Sequence, residues 1–155
     1  MSEPKAASVQ IFVLLAVLIL GGGAIYFVYF GSAGEAYVSG TVTEDNKAVG
    51  RAKLAFFRID KSESPVLTQS DEQGRFQVVG NYGGGISPGK YRVTASKLAL
   101  KDGTVPAGEA LTQAIANGTL VNHLAKEYED DKKSPLEFEI KPGSQTIRLA
   151  VKSKR

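Results

Sequence analysis

A chain of 155 residues, 43% hydrophobic and 23% charged, has room for one domain and an appendage and is too apolar for wholesale disorder. With no cysteine it excludes disulfides, thiolate metal sites, a cysteine nucleophile and a lipid-modified N-terminal cysteine together. The net charge of +3 comes from Lys and Arg spread among Asp and Glu without a basic stripe, so nucleic acid is not an expected partner.

After a short tail (1–8), Val9 to Phe30 carries no charge and only Gln10 as a strongly polar side chain. A helix of that length spans about 33 Å, enough for about 30 Å of hydrocarbon. It shows no polar face, and Tyr26 and Tyr29 stand near one end, where aromatic rings favour headgroups. The expectation is an uncleaved transmembrane signal-anchor over 9–30. The competing reading is a cleaved signal peptide, with Ile11 to Leu20 as its core and Gly31-Ser32-Ala33 at the cut. Lys5 and the free amino group on the short side bias the N-terminus inward, which puts the rest of the chain outside the cytoplasm.

Residues 31–35 read as a linker to a domain over 36–155. Tyr37 to Thr43 alternates, with Val38, Gly40 and Val42 on one face, as a strand does. Glu44-Asp45-Asn46-Lys47 is a turn, since Asp and Asn tolerate left-handed dihedrals. Lys53 to Ile59 is the second strand, and Phe56-Phe57 breaks its alternation, predicting a bulge or burial on both faces. Val66 to Gln69 and Arg75 to Val79 follow, separated by a turn over Ser70 to Gly74.

A glycine-rich loop, Asn81 to Gly89, leads into Lys90 to Lys97, which places Tyr91, Val93 and Ala95 inward. Leu136, Phe138 and Ile140 line another strand, and Ile147, Leu149 and Val151 the last. Between them Leu98 to Lys133 is too long for a hairpin connection. Within it, Ala107 to Asn117 is a helix candidate, with Leu111 and Ile115 at i, i+4 and Asn117-Gly118 as a C-terminal cap. The expected fold is all-β: an antiparallel Greek-key β-sandwich of about seven strands with an insertion at 98–133, preceded by one N-terminal transmembrane helix.

Val38-Ser39-Gly40-Thr41-Val42, Ala48 to Ala52, Asp71-Glu72-Gln73-Gly74-Arg75-Phe76 and Pro88-Gly89-Lys90-Tyr91-Arg92-Val93 occur in an order that resembles the carboxypeptidase regulatory-like domain, a transthyretin-like (prealbumin-type) sandwich. The stretch from Tyr128 through Ser134-Pro135-Leu136 to Pro142-Gly143 is similar to the C-terminal part of bacterial surface versions, often lipid-anchored; here the apolar helix would replace the lipid. The resemblance covers roughly 36–152 and implies a fold rather than an activity. Hydroxyisourate hydrolases of this fold use several histidines, and related intradiol dioxygenases hold iron with two Tyr and two His; one histidine satisfies neither pattern. A Cna-B-like internal isopeptide bond would need an Asn or Asp partner for a lysine such as Lys53, and Gln145 to Lys152 has none.

Candidate sites each meet a structural alternative. Asp71 and Glu72 resemble metal ligands, but Asp71 is better placed to cap a turn in which Gly74 takes a positive φ. Glycines 80, 83, 84, 85 and 89 lack the spacing of a phosphate-binding loop and read as a flexible loop. His123, the only histidine, has no His or Cys partner for zinc. The run of Lys126, Glu127, Glu129, Asp130, Asp131, Lys132 and Lys133 mixes charges, so a solvated loop is favoured over calcium. Asn117-Gly118-Thr119 matches a glycosylation acceptor, which has meaning only in a eukaryotic secretory setting.

No catalytic, cofactor-binding or metal residue is therefore assigned. The expected function is a non-enzymatic module anchored in a bacterial inner membrane through 9–30, with its C-terminal domain outside the cytoplasm and a structural role or a protein or cell-envelope glycan partner. The alternative is a hydrolase or carbohydrate-binding accessory domain with its site near His123 in the insertion.

Overall fold

Side-chain alternation builds the first strand. In the computed structural model, which describes residues 34–80 and 83–154, β1 (Ala36–Glu44) buries Ala36, Val38, Gly40 and Val42 and exposes Tyr37 and Ser39. The 9–30 segment lies outside the described residues, among which no helix is long and apolar enough to cross a membrane. Asp45 and Asn46 take φ values of 46° and 65°, the two left-handed positions of a tight hairpin turn, and return the chain as β2 (Lys47–Ala48).

β3 (Lys53–Arg58) pairs antiparallel with β4 (Val66–Gln69) on one side and β6 (Gly89–Ser96) on the other, and β9 (Glu137–Ile140) joins β6 to complete one sheet in the order β4-β3-β6-β9. In the other sheet β1 is central: β5 (Arg75–Val78) and β2 share one of its sides, and β10 (Gly143–Val151) lies along the other. A third, two-stranded sheet pairs β7 (Leu98–Ala99) with β8 (Val121–Asn122). One helix, α1 (Gly108–Ala116), lies between those two strands.

The seven expected strands are present, but the sandwich is not wholly antiparallel. β1 and β10 run parallel through nine register positions, from Ala36↔Gly143 to Glu44↔Val151. The cause is the corner at Lys141-Pro142, which carries the chain from the end of β9 back beside Glu35, so β10 starts at the same end as β1; the Gly143 N–H donates to the Glu35 carbonyl there. Of the two outcomes expected at Phe56-Phe57, a bulge or burial on both faces, the bulge is absent. Register against β6 is unbroken, Phe56 is buried, and Phe57 is half-buried on the outer face.

The core between the two large sheets is apolar, centred on Phe56, whose ring packs at a tilt against Phe76 with centroids 6.0 Å apart. The Phe76 ring lies directly over Gly40. A Cβ built there would stand 2.7 and 2.9 Å from ring atoms and inside contact distance of the Ile147 carbonyl, so only glycine fits. Among the described residues two buried polar side chains accompany the apolar core, Ser70 and Ser134. The Ser70 hydroxyl donates to the Val49 carbonyl and accepts from the Ala52 N–H, both at 2.9 Å, joining the β2–β3 corner to the β4–β5 turn. Ser134 donates to the Val93 carbonyl and fixes the approach to β9. Among the described residues no buried polar side-chain atom lacks a partner.

Candidate functional site

The insertion leaves the sandwich at Ser96, the end of β6 that faces the start of β3. It rejoins the domain beyond the end of β10, where Ala125 donates to Lys152 and Leu124 bridges Ser153. Ala36, bonded to Ile86 in both directions, lies at the opposite end. The length of β1, about 27 Å at strand rise, separates the two ends.

Within the insertion, α1 ends as the sequence predicts: the Asn117 N–H reaches Gln113, and Gly118 takes φ 62°. Its packing is slight, with Ala114 its one buried residue, while Leu111 and Ile115 are 37% and 63% exposed. Leu98, 37% exposed, adds a third apolar side chain to the surface of the insertion. A helix this short is marginal on its own.

His123 is drawn into the architecture rather than into a reactive cluster. Its N–H donates to Lys97, its carbonyl accepts from Lys154, and its Nε2 lies 2.8 Å from the Leu100 carbonyl. A carbonyl only accepts, so Nε2 is the donor in this contact. Beside it an open cleft of about 520 Å³ is lined by Leu100, Lys101, Asp102, Gly118, Thr119 and Val121. The Asp102 carboxylate accepts the Thr104 N–H at 2.9 Å; with the Thr104 side chain, that bond holds its pKa below the ordinary value. The Thr119 hydroxyl donates to Ala114. No two of His123, Asp102 and Thr119 bond to one another, so the cleft offers polar groups for binding without a nucleophile–base pair.

The acidic candidates resolve into turn chemistry. Asp71 Oδ1 accepts the N–H groups of Gln73 (2.9 Å) and Arg75 (2.8 Å), Oδ2 meets Arg75 Nε at 2.9 Å, and Gly74 takes φ 74°. Glu72 pairs with Arg51. Desolvation works to raise the Asp71 pKa, yet the Arg75 N–H, the Arg75 guanidinium and the Gln73 N–H together hold it below the ordinary carboxylate value. A group depressed in this way stabilises the fold fully above its unfolded pKa and loses that contribution as pH falls through the folded one. Asp71→Ala is therefore expected to lower the melting temperature at neutral pH, and the gap from the parent should close below the carboxylate range. A gap of constant size across that window would remove the carboxylate from the account.

Local contacts account for two further candidates. The glycine-rich loop is pinned at its second half: the Gly85 N–H reaches Glu35 Oε2 at 3.0 Å, Gly80 and Gly84 bond to each other, and Ile86 is buried. The Gly85 N–H that a phosphate would need is thus engaged. The charged side chains of the 126–133 run are exposed or partly exposed, as expected of a solvated segment, and specific contacts order its backbone. Tyr128 inside it is 3% exposed, Glu129 accepts from Asn122, Asp130 caps Lys132, and Arg92 holds the carbonyls of Asp131 and Lys132. Lys53 is exposed on β3. Among the described residues no group of three His, Cys, Asp or Glu side chains is placed to hold a metal.

No protein-family model matches the chain, and neither does any curated protein. Among solved structures it is similar to a DUF3823 family protein from Parabacteroides merdae ATCC 43184, at 17% identity and a TM-score of 0.43 over 77% of this chain and 47% of that one. BcpA, the major pilin subunit of Bacillus cereus, aligns at 15% identity and 0.45, over 79% of this chain and 30% of its own. The Bacillus anthracis TIE protein aligns at 18% and 0.40, over 79% and 17%. The chain spans less than half the length of each, and with TM-scores below 0.5 these likenesses assign neither an activity nor a partner.

Proposed function

We propose that the chain is a non-enzymatic β-sandwich of carboxypeptidase regulatory-like type, tethered to a bacterial inner membrane through 9–30 and displayed outside the cytoplasm, with the 98–133 insertion as its contact surface for a protein or a cell-envelope glycan. The observation that carries the reading is the placement of the insertion at the end of the sandwich opposite Ala36, where the tether would join. A scaffold of that form presents Leu98, Leu111, Ile115 and the open cleft on the segment that joins the sandwich at the other end of β1. The apolar, internally satisfied core supports a scaffold role for the rest.

Two measurements test it. Protease treatment of spheroplasts, in which the outer face of the inner membrane is accessible, should digest the domain, and full protection with the inner membrane intact would place it in the cytoplasm. Affinity capture from membranes should lose its specific partners when Leu111→Glu and Ile115→Glu are introduced together, because both side chains are exposed. Identical partners from parent and variant would remove the insertion as the recognition element.

A second reading, a hydrolase or carbohydrate-binding accessory domain, draws on the cleft with its carboxylate and hydroxyl. In that case Asp102→Ala would abolish turnover or glycan binding and leave protein capture unchanged.

A further inference from the structure

β10 is bonded along one side. The Gly143 N–H meets Glu35, and the register with β1 continues to Val151, so the odd-numbered residues of β10 turn their N–H and C=O groups toward β1. The even-numbered residues face the other way. Past the end of the strand that other side is covered: Lys152 accepts from Ala125, and Lys154 donates to His123. At the start stands Pro142, which has no N–H to offer. Between these stops, the backbone groups of Ser144, Thr146, Arg148 and Ala150 have no backbone partner among the described residues.

Long edges of this kind are usually blunted by short length, proline, a bulge or an inward-pointing charge. The outer strands of the other sheet, β4 and β9, are four residues each, whereas β10 has nine. No proline or inward charge interrupts it, and its one charged side chain does not shield it. Arg148 is drawn back across its own sheet, to Thr43 Oγ1 at 3.1 Å and Asn46 Oδ1 at 2.8 Å.

We propose that this edge pairs antiparallel with the same edge of a second copy of the chain, about a two-fold axis at Ile147. The two stops centre the open window on Ile147, so in a two-fold pair both copies run out of free groups at the same points. In this register Ser144 faces Ala150 and Thr146 faces Arg148 of the other copy. Each of these pairs joins edge-facing residues that exchange N–H···O bonds, and no like charges oppose each other. On the inner face Ile147, half-buried in the single chain, meets its twin. The sheets become continuous across the axis, and a closed pair leaves no further copy of this edge to propagate. The pairing uses only the β10 edge and stands apart from the tethered-display reading.

The absence of native cysteine gives a background-free test in the full-length chain in its own membrane. At the non-hydrogen-bonded centre the two Ile147 Cα atoms would stand about 4.5 Å apart, within disulfide reach. Ile147→Cys should form disulfide-linked homodimers on mild oxidation, at least about tenfold more than Lys53→Cys on exposed β3. Adding Thr146→Pro, which removes an edge-facing N–H and spares the β1 ladder, should suppress the link by a similar factor. A second reporter does not depend on the proline: Thr146→Cys copies mixed with Arg148→Cys copies should cross-link, and neither alone should do so strongly. Cross-linking of Ile147→Cys no greater than the Lys53→Cys control, or a link to a different polypeptide, would overturn the pairing. Equal linking in the mixed and separate Thr146→Cys and Arg148→Cys samples would overturn the register.

Discussion

Gly40→Ala is expected to destabilise the domain by about 3 kcal/mol, the upper part of the range for overpacked cores. The added methyl has nowhere to go. One neighbour is the Ile147 carbonyl, held in the parallel β1–β10 ladder, and the other is the Phe76 ring, itself wedged against Phe56. Relief would require prising β10 from β1 or turning Phe76 out of the core. Chemical denaturation of the variant should show a lower midpoint with an unchanged slope. A double variant with Phe76→Leu should show favourable coupling, because the shorter side chain gives way, but incomplete rescue, because the carbonyl stays. A Gly40→Ala midpoint within error of the parent would mean that the strands separate easily at this point.

Ser70→Ala is the second large effect, at about 2 kcal/mol. The substitution removes few atoms, so the loss is not one of packing volume. It leaves the Ala52 N–H and the Val49 carbonyl, both within the buried corner, without the hydroxyl that each now bonds. The effect should also be local: amide exchange at Ala52 should accelerate more than exchange at Val93, in the middle of β6. Uniform acceleration across the core would instead indicate general loosening.

Much of this architecture was legible in the sequence, because alternation of period two translates directly into which side chains face the core. Val38, Gly40 and Val42, Tyr91, Val93 and Ala95, and the last strand's Leu149 and Val151 all lie where that rule puts them. The Asp45-Asn46 and Asp71–Gly74 turns were legible for a different reason, since few residue types accept those dihedrals. Strand direction was not, because a run of alternating residues reads the same whether its neighbour is parallel or antiparallel. The parallel placement of β10 depends on where the Lys141-Pro142 corner delivers the chain.

The two-residue strands β2, β7 and β8 are too short to show a period. At Phe56-Phe57 two adjacent aromatics leave a bulge and burial on both faces open, and the outer face accepts a half-buried Phe57 without a bulge. The insertion was least legible. The partner of His123 is the carbonyl of Leu100, and every residue has a carbonyl, so no residue type signals it. Tyr128 is buried within a run whose composition is that of a solvated surface.

The side-by-side, same-direction course of β1 and β10 has a mechanical consequence. A pull that draws the start of β1 and the end of β10 apart acts along the two strands in opposite senses. Their nine-position ladder is then loaded in shear, so its hydrogen bonds resist together instead of opening one after another. A domain wired this way carries tension between those two points through the β1–β10 seam.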